Sequence, residues 1–256
     1  MGTKIYFASD FHLGVDALLT SVEREKKICR WLDQIADDIK ELYLVGDVFD
    51  HWFEYKRVIP KGFSRLLGKL AELRDSSVPI YFFTGNHDMW MFRYLEDEFG
   101  IPIYRSAVER TFDGKKFLIG HGDGLGPGDH GYKLIKSIFD NRICQKAYSM
   151  IHPDIGLKLM KYFSAKSRLI TNDNEKLFCP EQEWLVQFAQ QHHINSDIDF
   201  YIFGHRHLPI NYLLGDQKAR YINLGEWMYA CSYGVWDGQK MEIKFYQSDF
   251  DRIYGT

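Results

Sequence analysis

Six short apolar runs constrain the fold of this chain more than any other feature of its sequence. Each run is rich in Ile, Val, Tyr or Phe with few polar interruptions, which is typical of strands that are buried on both faces. The runs are KIYFAS (4–9), ELYLV (41–45), PIYFFT (79–84), KFLIG (116–120), DFYIF (199–203) and RYINL (220–224). Strands of this kind occur in α/β proteins, where other elements cover both sides of the sheet.

Amphipathic patterns lie between the first three runs. Residues 21–39 place apolar side chains on one face and charged side chains on the other, and residues 62–74 do the same. This alternation of strand and helix favours an α/β architecture. Near the C-terminus, Asp237-Gly238 stands between two β-like runs, which is a hairpin signal. We therefore predict one α/β domain over residues 1–256, with mixed rather than purely parallel sheets.

Three further features of the sequence exclude some classes of protein: the net charge, the first ten residues and the spacing of the cysteines. A net charge of -3 and a pI near 6.4 give no global basic field, so no nucleic-acid partner is expected. The start, MGTKIYFASD, has an acid at position 10 and no long apolar run, which predicts a cytoplasmic protein. Four widely spaced cysteines form no CxxC pair, which argues against a thiolate zinc site or a disulfide framework.

Polar side chains follow five of the six apolar runs, at the point where each predicted strand ends. The segments are DFH, GD, GNHD, HGD and GHRH, in chain order. In open α/β sheets a ligand binds outside the carboxyl ends of the strands, so these side chains should gather at one place. The candidate metal ligands are two carboxylates, one amide and four imidazoles: Asp10, His12, Asp47, Asn86, His121, His205 and His207.

This ligand set is too large for one ion. It suits two divalent ions about 3.5 to 4 Å apart that share a bridging carboxylate. The absence of cysteine from this ligand set argues against a soft metal, whereas Mn, Fe, Zn and Co are all compatible with it. The D-x-H and H-x-H spacings suit an extended backbone, in which residues i and i+2 point the same way. Glycines at 46, 85, 122 and 204 permit tight turns and close backbone approach.

The five segments resemble the calcineurin-like metallophosphoesterase family, whose pattern is D-x-H, G-D, G-N-H-D/E, H and G-H-x-H in that order. The resemblance covers residues 8 to 207. It implies a hydrolase with a sandwich of two mixed β-sheets flanked by helices, in which a water held between two metals attacks phosphorus. It also implies two metal sites that Asp47 bridges, one formed by Asp10, His12 and His207 and the other by Asn86, His121 and His205.

The same resemblance assigns catalytic roles. His87 matches the histidine that meets the substrate phosphate and can protonate the leaving oxygen, an effect typically worth roughly 10²- to 10⁴-fold in rate. Asp47 and Asn86 complete the expected catalytic set, and Asn86 and His205 would also contact the substrate. Asp88 is expected to orient His87 or a metal-bound histidine.

A helical insert is expected between His121 and Gly204, at about residues 131–180, because about 80 residues there carry no matched ligand. The pattern suggests helices near 132–150, 153–170 and 181–193. The first two are heavily apolar and also rich in lysine. One interpretation is a hairpin packed on the main domain, and another is a lid that takes up hydrocarbon chains and meets anionic lipid at a membrane surface; the two can both hold.

A narrower resemblance lies in HGDGLGPGDHGYK and in INLGEWMYACSYGVWDG, which look like the UDP-2,3-diacylglucosamine pyrophosphatase branch of the family. This branch implies hydrolysis of UDP-2,3-diacylglucosamine to 2,3-diacylglucosamine 1-phosphate and UMP in lipid A biosynthesis, with manganese as the metal. It further implies a Gram-negative source and peripheral contact with the inner membrane. The substrate would meet Asn86, His87, Asp129, Tyr132, Lys166, Arg168 and His205.

Other activities stay open at the level of sequence. Many members of that branch carry arginine where this chain has His87, and histidine is the general metallophosphoesterase form. One alternative is therefore a phosphoesterase that acts on nucleotides or on another phosphodiester or phosphomonoester. A second alternative is a scaffold of the same fold that binds no metal, and a third is a nuclease.

Overall fold

The computed structural model describes residues 2–127, 130–171, 178–215 and 218–255, with only the backbone for 130–132, 134–135, 163 and 165–171. Strands and helices alternate along the first half of the chain, and further helices separate the middle strands. The strands are β1 (Lys4–Ala8), β2 (Ile39–Val45), β3 (Ile80–Phe83), β4 (Ile103–Tyr104), β5 (Val108–Phe112), β6 (Lys115–Ile119), β7 (Phe200–Phe203), β8 (Pro209–Leu213), β9 (Arg220–Leu224), β10 (Ser232–Trp236) and β11 (Met241–Phe245). The helices are α1 (Ser21–Ile35), α2 (Ser64–Asp75), α3 (Tyr94–Phe99), α4 (His130–Phe139), α5 (Arg142–Tyr148), α6 (Pro153–Thr171) and α7 (Trp184–His193).

The strands form two mixed sheets. One sheet has the order β11-β10-β1-β2-β3-β4, with β1 to β4 parallel and β10 antiparallel to β1. The other has the order β5-β6-β7-β9-β8, with a parallel centre and antiparallel edges. This arrangement confirms the predicted fold class of two mixed sheets flanked by helices.

Apolar side chains of both sheets meet in one core. Phe7 and Val45 of the first sheet belong to the same buried cluster as Phe117 and Ile222 of the second. On its other side the first sheet packs against α1 and α2, and the second sheet packs against α7. The continuous apolar character of the runs follows from this arrangement, because the central strands are covered on both faces.

Two of the predicted helices differ most from those in the structure. Helix α1 ends at Ile35, and the predicted last turn instead leads into β2, which begins at Ile39. The predicted helix at 132–150 is two helices, because the side chain of Asn141 accepts hydrogen bonds from the backbone of Ile143 and Cys144 and so starts α5. The strands β4, β5 and β8 and the short helix α3 were not predicted, since their sequences are short or carry weak apolar patterns.

The insert between β6 and β7 packs on the main domain through aromatic side chains. Tyr148 of α5 joins Phe53, Met89 and Trp90 in a buried cluster, and Met160 of α6 packs against it. Residues 89 and 90 follow the GNHD segment directly, so this cluster brings the insert beside the predicted site. Among the helices that the structure describes, none is both long enough and apolar enough to cross a bilayer.

Candidate metal centre

The loops that follow β1, β2, β3, β6 and β7 lie side by side at one edge of the sandwich. Backbone hydrogen bonds connect them: Asp10 N donates to Gly46 O at 3.0 Å, His12 N to Asp47 O at 2.9 Å and Gly204 N to His121 O at 3.1 Å. The parallel strands cause this convergence, because their carboxyl ends point the same way. All seven predicted ligands therefore lie in one neighbourhood.

One group of ligand atoms comes from the first and last segments. The Nε2 atoms of His12 and His207 lie 3.1 Å apart, and Asp10 Oδ1 lies 3.2 Å from His207 Nε2. Asp10 and His12 are almost fully buried. These three side chains are the ones that the sequence predicts for the first ion.

A second group is formed around the amide of Asn86. Its Oδ1 lies 3.0 Å from His205 Nδ1 and 3.3 Å from His121 Nε2. Asp47, His121 and His205 each offer a ligand atom, and the three atoms lie within 4.8 Å of one another. These are the side chains that the sequence predicts for the second ion.

Asp47 stands between the two groups. Its Oδ2 lies 3.3 Å from His121 Nε2 in the second group and 3.8 Å from His12 Nε2 in the first. Its Oδ1 accepts a hydrogen bond from the backbone N–H of His87 at 2.8 Å, which fixes the orientation of the carboxylate. A carboxylate so placed can bridge two ions.

The donor atoms fit a pair of divalent cations. The facing Nε2 atoms of His12 and His207 can share at most one hydrogen bond, whereas one ion can bind both nitrogens. Asp10 Oδ1 is buried without a hydrogen bond of acceptable geometry among the described residues. Buried carboxylates beside convergent imidazoles are expensive unless a cation neutralises them. Nitrogen and oxygen donors without thiolate suit Mn, Fe, Zn or Co.

The backbone of the ligand loops is strained. Positive φ angles are uncommon outside glycine and cost roughly 1 to 3 kcal/mol each, and they cluster at functional sites. Five of the seven predicted ligands have them: Asp10 (55°), His12 (44°), Asp47 (51°), His205 (69°) and His207 (54°). The expected extended backbone in D-x-H and H-x-H is thus wrong. The two ends of each motif are left-handed, and this conformation turns both side chains into the centre.

Close approach explains the glycine at position 85. A Cβ atom there would overlap the Asp47 carboxylate. At position 204 a Cβ atom would in the same way collide with Asp10 Oδ2, which accepts a hydrogen bond from His205 N at 3.0 Å. Any side chain at these two positions would displace a carboxylate that is predicted to bind metal.

Arg24 holds the loop after β1 and was not predicted to have a role. Its guanidinium is fully buried and donates to four backbone carbonyls, at distances of 2.6 to 3.2 Å. The acceptors are Phe11, His12, Val15 and Leu19. Nothing in the amphipathic pattern of α1 distinguishes this arginine from its charged neighbours, because the fold brings the acceptors to it.

Asp88 has a different role from the one expected. It is fully buried, and its carboxylate accepts hydrogen bonds from the backbone N–H groups of Gly85 at 2.7 Å, Val48 at 2.9 Å and Phe49 at 3.3 Å. Asp88 therefore ties the GNHD loop to the GD loop, and its hydrogen bonds go to the backbone rather than to a histidine. Burial, together with the charge of Asp47, raises the pKa of Asp88 to about 7.

Asp50 is a site residue that the sequence analysis missed. Its carboxylate is buried and lies 3.5 Å from His12 Nδ1, 3.6 Å from His87 Nδ1 and 3.7 Å from His51 Nδ1. Its carbonyl oxygen lies 2.9 Å from His87 Nδ1. Carboxylates behind metal-binding histidines orient the imidazole rings. The sequence signal that could have identified Asp50 is its position as a second aspartate, three residues after Asp47.

His87 lies beside both ligand groups. A ring nitrogen of His87, a ring nitrogen of His12 and a carboxylate oxygen of Asp47 lie within 4.8 Å of one another. The rings of His87 and His12 are in edge contact, with centroids 4.8 Å apart. His87 therefore lies next to the predicted ligands, as its expected role at the substrate phosphate requires.

The side chains of the four head-group contacts predicted in the insert are not among those that the structure describes. Asp129 lies outside the described residues, and Tyr132, Lys166 and Arg168 are described by their backbone in α4 and α6 alone. The insert contacts the loop after β6 through Lys136 of α4, whose Nζ lies 2.6 Å from Asp123 Oδ2. Asp123 is buried two residues after His121.

Metal binding is expected to release protons. Burial disfavours the charged form of His12, but Asp10, Asp50 and Asp47 outweigh it and raise the pKa of His12 to about 10. The Asp47 charge likewise overcomes burial and raises the pKa of His121. We therefore expect His12 to hold a proton at neutral pH without metal, whereas coordination needs the neutral form. Affinity for Mn²⁺ should therefore rise with pH up to about 10.

Titration calorimetry with Mn²⁺ at pH 7.5 in buffers of different ionisation enthalpy measures this release. The apparent binding enthalpy should change in proportion to the ionisation enthalpy of the buffer, with a slope of one to two protons. Equal enthalpies in all buffers would mean that the histidines are neutral before the metal arrives.

Comparison with known proteins gives two kinds of similarity. The family model for calcineurin-like phosphoesterases matches residues 3–209. A UDP-2,3-diacylglucosamine hydrolase of Porphyromonas gingivalis is 38% identical over 257 residues, covering 95% of this chain and 98% of the relative. The enzyme of the same name from Hamiltonella defensa is 27% identical, covering 96% and 98%. Among solved structures, Yfce, a phosphoesterase from E. coli, aligns with a TM-score of 0.48 at 16% identity, covering 95% of this chain and 93% of its own.

Proposed function

This chain belongs to the calcineurin-like phosphoesterase family, and from that membership we propose that it hydrolyses the pyrophosphate bond of UDP-2,3-diacylglucosamine. The products would be 2,3-diacylglucosamine 1-phosphate and UMP, and the reaction belongs to lipid A biosynthesis. The observation that carries the substrate is the 38% identity to a UDP-2,3-diacylglucosamine hydrolase over nearly the whole of both chains. Because that similarity includes the insert, it extends beyond the metal ligands shared by the family.

Seven side chains would hold two divalent ions, which we propose to be Mn²⁺. Asp10, His12 and His207 would bind one ion and Asn86, His121 and His205 the other. Asp47 would bridge them, which agrees with its distances to both groups. Two such ions supply an activated water near neutral pH and neutralise charge on the phosphoryl oxygens.

His87 is the proposed catalytic acid. The backbone oxygen of Asp50 lies 2.9 Å from its Nδ1, which holds the proton on that nitrogen and aims Nε2 away from Asp50. When the ring also carries a proton on Nε2, His87 can donate that proton to the leaving phosphate oxygen and return to the neutral Nδ1–H form, or it can offset the charge on that oxygen. Burial lowers the pKa of the His87 ring, and the negative charge of a bound phosphate would raise it again. We propose that Asn86 and His205, whose polar atoms lie 3.0 Å apart in the second group, also touch the substrate.

Replacing His87 by alanine should lower kcat by roughly 10²- to 10⁴-fold while metal content stays at two ions. The reason is that His87 acts on the substrate and not on the ions. The rate with saturating substrate and the metal content of the purified variant are the two measurements. His152→Ala is the matched control, because that imidazole is exposed on the insert. Loss of a metal from the His87 variant would instead make it a ligand.

The insert supplies the proposed contacts with lipid. We assign Asp129, Tyr132, Lys166 and Arg168 to the head group, and the apolar side of the insert to the acyl chains. Large apolar side chains are exposed on α5, α6 and the turn between them, namely Ile143, Met150, Ile155 and Tyr162. Basic residues stand among them at positions 142, 146, 158 and 161. Such a surface suits peripheral contact with anionic lipid.

The double variant Ile143→Ser with Met150→Ser should bind vesicles of phosphatidylglycerol more weakly, by about 5- to 50-fold, because two exposed apolar side chains are lost. Co-sedimentation with the vesicles measures the binding. Ile194→Ser is the control, since Ile194 is equally exposed at the end of α7, outside α4 to α6. Equal losses in both variants would contradict a specific lipid surface on the insert.

The substrate is tested with a panel under Mn²⁺. It contains UDP-2,3-diacylglucosamine with long and short acyl chains, bis(p-nitrophenyl) phosphate and soluble nucleotides. We expect UMP release from the long-chain substrate to be fastest at low substrate concentration, and kcat/KM to fall as the chains shorten. Turnover of the lipid no better than that of the aryl diester would remove this substrate and favour the general phosphoesterase alternative.

A further inference from the structure

Ser164 joins the insert to the catalytic histidine. Its Oγ lies 3.2 Å from His87 Nδ1 and 3.3 Å from each carboxylate oxygen of Asp50. Ser164 lies on α6, more than 70 residues from both partners in the chain. No sequence motif places it in the centre, and none of the proposed head-group contacts includes it.

Burial makes this serine unusual within its helix. Among the described side chains of α6, only Gly156 and Ser164 are buried, and most of the others are exposed. Gly156 fits closely against the hydroxyl groups of Tyr55 and Tyr148 and so serves packing. A hydroxyl is a poor choice for packing alone, since burying it is costly unless it is hydrogen bonded. The hydrogen bonds to Asp50 and His87 therefore explain why a polar side chain is buried at position 164.

The donors and acceptors of the three groups are complementary. The hydroxyl can donate its proton to the ionised Asp50 carboxylate, because carboxylates only accept. Its lone pairs then face Nδ1 of His87, which carries a proton directed towards Asp50 O and Ser164 Oγ. Serine is thus a second acceptor that holds the ring in one plane and one tautomer.

We propose that Ser164 is a positioning residue for His87, through which the seating of the insert sets the geometry of proton donation. The inference rests on the proposed catalytic role of His87. It links the element that would bind the lipid to the step at phosphorus. The ring of His87 would be held in its working orientation only when α6 is in place, because its acceptors are Asp50 of the main domain and Ser164 of the insert.

A double-mutant cycle tests this coupling. Ser164→Ala should lower kcat by roughly 3- to 10-fold with little change in KM, on both UDP-2,3-diacylglucosamine and bis(p-nitrophenyl) phosphate. In the His87→Ala background the same substitution should change kcat by less than about 2-fold, since its effect passes through the missing ring. Ser164→Thr, which keeps the hydroxyl, should recover most of the loss.

Met160→Ala is the matched control for seating of the insert. Met160 lies four residues earlier on α6 and packs against the aromatic cluster around Tyr148, without a contact to His87 among those described. Its effect on kcat should be the same factor with and without His87. If the kcat losses of Ser164→Ala and His87→Ala also multiply in the double variant, the serine acts only through packing and the proposal is wrong.

The two substrates separate this inference from the proposed function. A cycle that holds on the aryl diester while the lipid is not hydrolysed would refute the lipid substrate and support the role of Ser164. Normal hydrolysis of the lipid, together with kcat losses that multiply in the cycle, would support the lipid substrate and refute the role of Ser164. If neither substrate is hydrolysed, both proposals are wrong.

Discussion

Replacing Asp47 by alanine should abolish turnover and remove both metal ions together. The Asp47 carboxylate is buried, and one of its oxygens faces a ligand histidine of each group. Without it, the remaining ligands of both ions lose the shared negative charge that offsets the repulsion between two dications. A pair of ions supplies several kcal/mol to phosphoryl transfer, so the rate should fall by more than about 10³-fold.

Metal analysis after gel filtration in metal-free buffer gives the decisive reading, since activity alone does not separate lost ions from lost chemistry. The wild-type protein should retain two ions per chain and the Asp47→Ala variant fewer than one. Asp37→Ala is the matched control, because Asp37 is exposed at the end of α1. Two tightly bound ions in the Asp47 variant would show that this carboxylate is not the bridge.

Replacing Arg24 by methionine should lower the free energy of unfolding by about 3 to 5 kcal/mol, even without metal. Methionine fills much of the space of the arginine side chain. It has no hydrogen-bond donor, so the four carbonyl oxygens that accept from the guanidinium in the wild-type protein lose that donor. Two of these carbonyls belong to Phe11 and His12, so the loop that carries Asp10 should also loosen. Affinity of the first ion should then fall by roughly 10- to 100-fold.

Urea denaturation in EDTA measures the stability, and titration with Mn²⁺ measures the affinity. Arg30→Met is the control, since Arg30 is an exposed arginine on the same helix. Arg24→Lys should fall between the two, because one ammonium cannot reach all four acceptors at once. An Arg24→Met variant as stable as the Arg30→Met variant would mean that the loop holds itself without the guanidinium.

Much of this protein can be predicted from sequence because its signals are local. Five of the six apolar runs are followed within one or two residues by a predicted ligand, so the strand and the ligand are recognised together in the sequence. The α/β class, the mixed sheets and the convergence of the ligands follow from where those strands end. The error in the helix predicted at 132–150 arose because a capping side chain interrupts the apolar pattern: Asn141 divides one apolar stretch into α4 and α5.

The supporting residues could not be predicted, because each acts on a partner that only the fold brings near. Asp50 and Ser164 are separated by 114 residues and meet at His87. Arg206 of the GHRH segment is oriented by Glu183, 23 residues away, with both carboxylate oxygens at 2.9 Å from Nε. Charged residues of this kind look like ordinary surface residues in a helical or loop pattern.

The sequence by itself determined which chemical groups are available and in what order, since imidazoles, carboxylates and an amide at strand ends define the possible ions and reactions. Only the tertiary structure decided how those groups are held. Left-handed backbone at five ligands, a buried arginine on four carbonyls and a serine from the insert all depend on packing between distant segments. Local residue preferences oppose such conformations, and only contacts made after folding can offset that cost.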